Sequence, residues 1–283
     1  MPFAKKSLGQ NFLISPRVVG AIVAAGNLKE REIVLEIGPG KGTLTRALLE
    51  AGAHVRAIEK DDRLIPILAK VFEKEIANGK LELIHGDVMA LGDGIFSREW
   101  GGSDSYKVIA NIPYYITGAL IRNFLSAKIK PSLMVLMVQK EVAERIIARD
   151  GKESILSLSV KVYATPELVM NVSRGNFFPI PNVDSAVIKL SNIRNPFSDE
   201  NGAPDENHKI GKIAEQRFFE IIKAGFAQKR KKLISNLEKV MPAMSGEMPK
   251  EKLKILFEKL GLDENIRAED IPLKMWLKLS SQN

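Results

Sequence analysis

The chain has 283 residues, 45% of them hydrophobic, with three histidines, no cysteine and a formal net charge of +8. Without cysteine there are no disulfides, thiolate metal sites or cysteine nucleophile, and His54, His85 and His208 are not spaced as ligands, so no metal is expected. No apolar run approaches the roughly 18 residues that a membrane helix needs, and no apolar core follows the charges of Met1–Lys6 as a secretory signal requires, so a cytoplasmic protein with no membrane partner is expected.

The basic excess favours a polyanionic partner. It is also clustered. Lys5, Lys6, Arg17 and Lys29 precede the first acidic residue, Glu30, and Lys229, Arg230, Lys231 and Lys232 form a second group. Local cationic patches of this kind suit phosphate contacts better than a diffuse excess.

Met1 to Lys29 reads as a basic lead. From there to about residue 190, apolar runs alternate with segments of helical period. Strands are expected at 33–37, 55–59, 81–84, 106–112 and 133–138, and helices at 43–51, 61–76, 117–127 and 140–148. Two more strand-like runs, 160–172 and 185–190, flank the loop 176–183. The alternation predicts parallel βαβ units and an α/β sheet covered on both faces. Residues 193–210 are polar and rich in turn formers and read as a linker; beyond it helices are expected at 213–227, 230–240, 251–260 and 273–280. Three parts result: a sheet domain over 1–192, the linker, and a smaller all-α domain over 211–283.

In open α/β sheets, ligands bind outside the carboxyl ends of the strands. Those ends carry Glu36, Glu59, Asp87 and Asn111, each about one βα unit after the last. Gly38-Pro39-Gly40-Lys41-Gly42 follows the first strand, lets backbone approach a ligand, and opens a helix. It is neither a Walker A loop nor the GxGxxG of dinucleotide enzymes. Its Gly-x-Gly-x-Gly form is commoner where S-adenosylmethionine binds and no pyrophosphate is cradled. Glu59 is placed for ribose hydroxyls, which an NAD site would share, and Asp87 for an adenine amine. At the end of the fourth strand, Asn111-Ile112-Pro113-Tyr114 presents an amide oxygen, a backbone carbonyl and a ring together. Pro113 keeps Ile112 out of the helical region. Asn111 and the Ile112 carbonyl can then accept both hydrogens of an adenine N6 amine while Tyr114 stacks on the base.

Four motifs occur in order: Gly9-Gln10-Asn11-Phe12-Leu13, Leu35-Glu36-Ile37-Gly38-Pro39-Gly40, Asn111-Ile112-Pro113-Tyr114, and Phe177-Phe178-Pro179-Ile180-Pro181-Asn182-Val183-Asp184-Ser185-Ala186-Val187. With Gly225–Lys232 and Arg267–Ile271 they make the chain resemble the KsgA-type rRNA adenine dimethyltransferases from about Lys5 to the last helices. The resemblance implies a Rossmann-like methyltransferase domain, a helical C-terminal domain and S-adenosylmethionine as donor. Its implied substrate is a pair of adjacent adenosines in a hairpin loop near the 3′ end of small-subunit (16S) rRNA. It assigns the cofactor to Asn11, Leu13, Gly38, Glu59, Asp87 and Asn111; of these, Asn11 and Leu13 come from the resemblance alone. Phe177 joins Tyr114 as the second wall of a base sandwich, and the basic groups of Lys5 and Lys6 and of Lys229–Lys232 are assigned to RNA. The chain departs from the family pattern at Ile155-Leu156-Ser157, where an aromatic-Gly pair is common. Two rival readings are an Erm-type large-subunit rRNA methyltransferase, whose motifs usually lack Pro39 and Asp184, and a ribosome-assembly factor with methylation secondary. Nothing in the sequence calls for an obligate dimer, and a monomer is expected.

Overall fold

A computed structural model describes residues 4–5, 8–90, 105–197, 206–238 and 250–281. These fall into two compact units, one made of the described residues within 4–143 and 164–194, the other of those within 144–163 and 195–281. In chain order the elements are β1 (Phe12–Leu13), α1 (Pro16–Gly26), β2 (Ile33–Ile37), α2 (Thr43–Glu50), β3 (His54–Glu59), α3 (Ile65–Val71), α4 (Glu73–Ala77), β4 (Leu81–His85) and β5 (Lys107–Asn111). There follow α5 (Thr117–Ser126), β6 (Leu133–Gln139), α6 (Lys140–Ile147), α7 (Ile155–Lys161), β7 (Thr165–Val172), β8 (Phe177–Phe178) and β9 (Ser185–Ser191). The chain closes with α8 (Glu206–Gly225), α9 (Leu233–Leu237), α10 (Lys250–Lys259) and α11 (Leu273–Ser280).

The main sheet has the order β4-β3-β2-β5-β6-β9-β7. From β4 to β6 all neighbours are parallel, and β9 runs antiparallel to both β6 and β7. Residues Met134 to Val138 of β6 are all fully buried, which in an alternating strand requires cover on both faces. One face packs Val34, Ile109, Val135, Met137 and Val187 against Val18, Val19 and Ile22 of α1 and Leu44 and Leu48 of α2. From β2 the chain winds outward to β3 and β4, then returns to place β5 on the other side of β2. That reversal opens a crevice at the carboxyl ends of β2 and β5, where such sheets bind ligands.

Five local expectations change. The basic lead contains α1: Pro16 sits in its first turn, and Val18, Val19 and Ile22 are its buried stripe. Lys107 secures its far end. The buried ammonium donates to the carbonyls of Gly26 (3.0 Å) and Asn27 (2.9 Å) and pairs with Glu32 (2.7 Å). The helix expected over 61–76 starts only at Ile65, because Asp61 accepts from the Arg63 N–H in a turn and Pro66 lies in the first helical turn. It then breaks at Phe72, whose φ is −115°.

The run 160–172 is not one strand. Ser154 and Ser157 form a reciprocal capping box that starts α7, which overrides the β-branched composition and leaves the strand to begin at Thr165. Ser157 thereby has a structural role within the stretch that departs from the family pattern. Helix α8 begins at Glu206, inside the expected linker, because beyond Pro204 only Gly211 opposes a helix. The helix expected over 230–240 is α9, which starts at Leu233 and ends at Leu237. The Leu233 N–H donates to the Ile266 carbonyl (2.8 Å) instead of to a preceding helical turn. Among the described residues no helix is long and apolar enough to cross a membrane.

In the second unit, Trp276 is fully buried, stacks with Phe226 at 5.6 Å between ring centroids, and donates its indole N–H to the Ile271 carbonyl (3.1 Å). Gly225 ends α8 against it: a Cβ there would overlap the Trp276 ring and lie 2.8 Å from Leu233 Cδ1. Gly225→Ala is expected to destabilise the protein by about 1–3 kcal/mol through overpacking, measured by chemical denaturation.

Candidate functional site

The cleft at the sheet reversal is built from strand ends and one N-terminal segment. Gly38, just past β2, has φ +67° and donates its N–H to the Ile58 carbonyl (2.9 Å); a Cβ there would lie 4.0 Å from the Asn111 carbonyl oxygen. Gly40, at φ +59°, would place a Cβ 2.9 Å from the Phe12 ring. At Gly40 the Gly-rich turn thus passes backbone against the N-terminal segment where a side chain could not fit, and at Gly38 its positive φ favours glycine beside β5.

Its electrostatics come from three carboxyl groups. Glu36 is buried at the end of β2, with Oε2 unpartnered among the described residues, and burial pushes its carboxyl up to about 8. Glu59 is also buried, and burial raises its pKa too, although its two oxygens accept from the N–H groups of Gly40 (3.0 Å) and Asp61 (2.8 Å). Asp87 is pulled the other way. Lys60 donates to its Oδ2 at 2.7 Å and the Met89 N–H to its Oδ1 at 2.9 Å, and these bonds hold it below the usual carboxylate range. A carboxylate offers about four lone-pair positions, so Asp87 can still accept from a ligand beside Lys60.

The N-terminal segment supplies the remaining wall. It is held at one end by the β1–β8 pairing, Phe12 opposite Phe178 and Leu13 opposite Phe177, and by the Ile14 N–H to the Asn176 carbonyl (2.9 Å). At the other end the Gln10 amide donates to Asp61 (2.8 Å). Between these anchors the Asn11 carbonyl accepts from the Asn111 amide nitrogen at 3.2 Å. With that nitrogen engaged, Asn111 keeps Oδ1 as its acceptor.

All six residues proposed for the cofactor, Asn11, Leu13, Gly38, Glu59, Asp87 and Asn111, line this cleft, as do Ile112 and Tyr114. The Ile112 side chain is core, so only its backbone is available there. Tyr114 is half-buried, and its hydroxyl is tied to Ser185 at 2.7 Å, which fixes the ring. Phe177 does not line the cleft. It faces the core at 1% exposure, whereas Phe178 next to it is 62% exposed. Adjacent strand residues point to opposite sides, and the pairing with β1 decides which points in. Tyr115, absent from the sequence-based assignment, is an exposed ring at the cleft mouth against Gly9.

Of the basic residues, Lys5 is exposed and Lys6 lies outside the described residues. Lys229 to Lys232 are exposed on the turn that leads from α8 into α9, with Lys232 at the N-cap of α9. Buried Asn236 holds that turn from beneath, donating to the carbonyls of Gly225 (2.6 Å) and Gln228 (3.2 Å).

The lining fits S-adenosylmethionine. Buried carboxyl groups suit ribose hydroxyls and a cationic ligand, and the unpartnered Glu36 oxygen leaves a polar position unsatisfied at the cleft wall. Between the usual 4.5 and about 8, folded Glu36 holds a proton that the unfolded chain releases, so its contribution to stability falls as pH rises through that window. Melting temperature is expected to decline from pH 5 to pH 8, and Glu36→Gln should shrink the decline; an equal slope in both proteins would contradict the assignment.

The comparisons agree with this architecture. The family model described as ribosomal RNA adenine dimethylase matches residues 2–280. A ribosomal RNA small subunit methyltransferase A of Dehalococcoides mccartyi (strain CBDB1) is 40% identical over 277 residues, 98% of this chain and 87% of the relative. Among solved structures, a dimethyladenosine transferase from Plasmodium falciparum is 28% identical, with 95% of each chain covered and a TM-score of 0.73. The 23S rRNA methyltransferase ErmE is similar in fold, at 24% identity, TM-score 0.71 and coverage of 95% of this chain and 98% of that one. On the family match and the identity to the bacterial relative, the chain belongs to the ribosomal RNA adenine dimethylase family.

Proposed function

We propose that this protein uses S-adenosylmethionine to dimethylate N6 of two adjacent adenosines in a hairpin loop near the 3′ end of small-subunit rRNA. The observation that carries the reading is the oriented Asn111 amide: its nitrogen is bonded to the Asn11 carbonyl, so Oδ1 is left to accept from an amine. The Ile112 carbonyl stands beside it. Pro113, at φ −58° and ψ 130°, holds the backbone extended, and the short 3₁₀ turn begins only at Tyr114.

Adenine N6 is a weak nucleophile because its lone pair is delocalised into the ring. S-adenosylmethionine supplies a methyl group already activated as a sulfonium substituent, so the chain's task is orientation. Asn111 Oδ1 and the Ile112 carbonyl would accept the two N6 hydrogens, which favours a pyramidal nitrogen. Such positioning supplies at best on the order of 7–11 kcal/mol. Tyr114, pinned by Ser185, would stack on the base for roughly 1–3 kcal/mol. Each transfer forms an N–C bond as the S–CH3 bond breaks, and the surplus proton passes to water; the methylated amine keeps one hydrogen, which one of the two acceptors can hold for the second transfer. Glu59 and Asp87 would hold the cofactor's ribose hydroxyls and adenine amine. An adenosine in a loop costs less to splay out than one in a helix.

The small-subunit assignment rests on the sequence relatives. The name of the bacterial relative at 40% identity specifies the small subunit. The likeness to the large-subunit enzyme, at 24% identity, speaks for the fold alone. The exposed Lys229–Lys232 turn would bind rRNA phosphates.

With labelled donor and small subunits prepared without the modification, label is expected as N6,N6-dimethyladenosine in small-subunit rRNA. Asn111→Ala should lower kcat about 10²-fold or more, as loss of an oriented polar group at a reacting centre does. Label on large subunits instead would move the substrate. Charge reversal at Lys229 and Arg230 is expected to weaken rRNA binding and reduce its salt slope by about one to two, with cofactor affinity unchanged. An unaltered slope would remove that turn from the RNA interface.

A further inference from the structure

Asp61 is a carboxylate with no solvent exposure, two residues beyond Glu59, and the roles proposed above leave it unused. Both its oxygens are engaged. Arg63 donates from Nε (2.8 Å) and its backbone N–H (3.2 Å) to Oδ1 and from Nη2 (2.6 Å) to Oδ2. The fourth donor is Gln10 Nε2, at 2.8 Å from Oδ2. These contacts, Arg63 foremost, hold the carboxyl well below its usual range, so it stays charged wherever the enzyme works.

Gln10 has no freedom left. While its amide nitrogen serves Asp61, its amide oxygen accepts from the Lys5 N–H at 2.7 Å. The residue after it, Asn11, presents the carbonyl that takes the Asn111 amide nitrogen at 3.2 Å. A continuous line therefore runs from Arg63 through Asp61 and Gln10 to the Asn11 carbonyl and on to Asn111. The Asp61 backbone N–H also donates to Glu59 Oε1 at 2.8 Å, so one residue braces both the proposed ribose acceptor and the N-terminal wall.

We infer that Gln10 and Asp61 are positioning residues for methyl transfer: by fixing the Asn11 carbonyl they hold the Asn111 amide with its oxygen toward the target amine. The inference rests on the reading that Asn111 orients adenine N6. Without the Gln10 bond, the segment between Gly9 and Phe12 loses its anchor on the turn after β3, and Asn111 can rotate its amide. The charge-assisted bond from Gln10 is of the strong class, and a misplacement on the order of 1 Å at a reacting group costs about 10²-fold in rate.

The test measures kcat and KM for unmodified small subunits, together with melting temperature, for the unaltered protein, Gln10→Ala, Gln10→Glu and the double variant Gln10→Glu/Asp61→Asn. Gln10→Ala is expected to lower kcat about tenfold to a hundredfold with KM for the subunit little changed. Gln10→Glu, which sets two carboxylates together, should lose at least as much. The double variant removes that repulsion and restores a donor–acceptor pair across the gap, at the expense of the Arg63 bond to Asp61 Oδ2, and should recover part of the kcat lost in Gln10→Glu. Full kcat in Gln10→Ala, or losses that track melting temperature with no recovery in the double variant, would overturn the inference while the unaltered enzyme stays active. No transfer by the unaltered protein would overturn the functional reading and this inference with it.

Discussion

A parallel sheet buried on both faces leaves little room for polar groups along its central strands, so polarity collects where the strands end. Here that constraint acts at the point where β5 returns beside β2. Glu36, Glu59 and Asn111 each close an apolar run and Asp87 follows one, and the reversal of strand order gathers them around one cleft. The Gly-rich turn and the N-terminal segment are shaped by the same constraint. Both must approach backbone-first, and at Gly40 the space between them has no place for even a Cβ.

The residues that respond to this constraint are those legible in the sequence. A short apolar run followed by a carboxylate or an amide is a local signal, and its repeat at about one βα unit fixes a parallel sheet with polar ends. What the sequence hides is non-local. Gln10 finds Asp61 only through the fold. Whether Phe177 or Phe178 points inward depends on the register against Phe12 and Leu13, since a one-residue slip would exchange them. Helix α1 was legible in principle, from Ser15-Pro16 and the spacing of Val18, Val19 and Ile22, but basic composition masked it. At α7 two serines outweigh a β-branched run because a reciprocal cap satisfies N–H groups that propensity does not count.

The cleft combines carboxyl groups of opposite tendency within a short span. Burial drives Glu36 toward its neutral form, whereas Lys60 keeps Asp87 ionised. Glu59 lies between, buried yet held by two backbone N–H groups. Along the wall a protonated carboxyl at β2 gives way to Glu59 at the end of β3 and the ionised Asp87 beyond β4, acceptors suited to a ligand's hydroxyl and amine donors.

The two-stranded β1–β8 pair has only two residues on each side. A pair that small has no stability of its own; Phe12, Leu13 and Phe177 hold it by burying their side chains in the core of the sheet unit. The wall that aims Asn111 is therefore as firm as that core. A change in the packing beneath β1 would disturb the catalytic amide without touching the cleft.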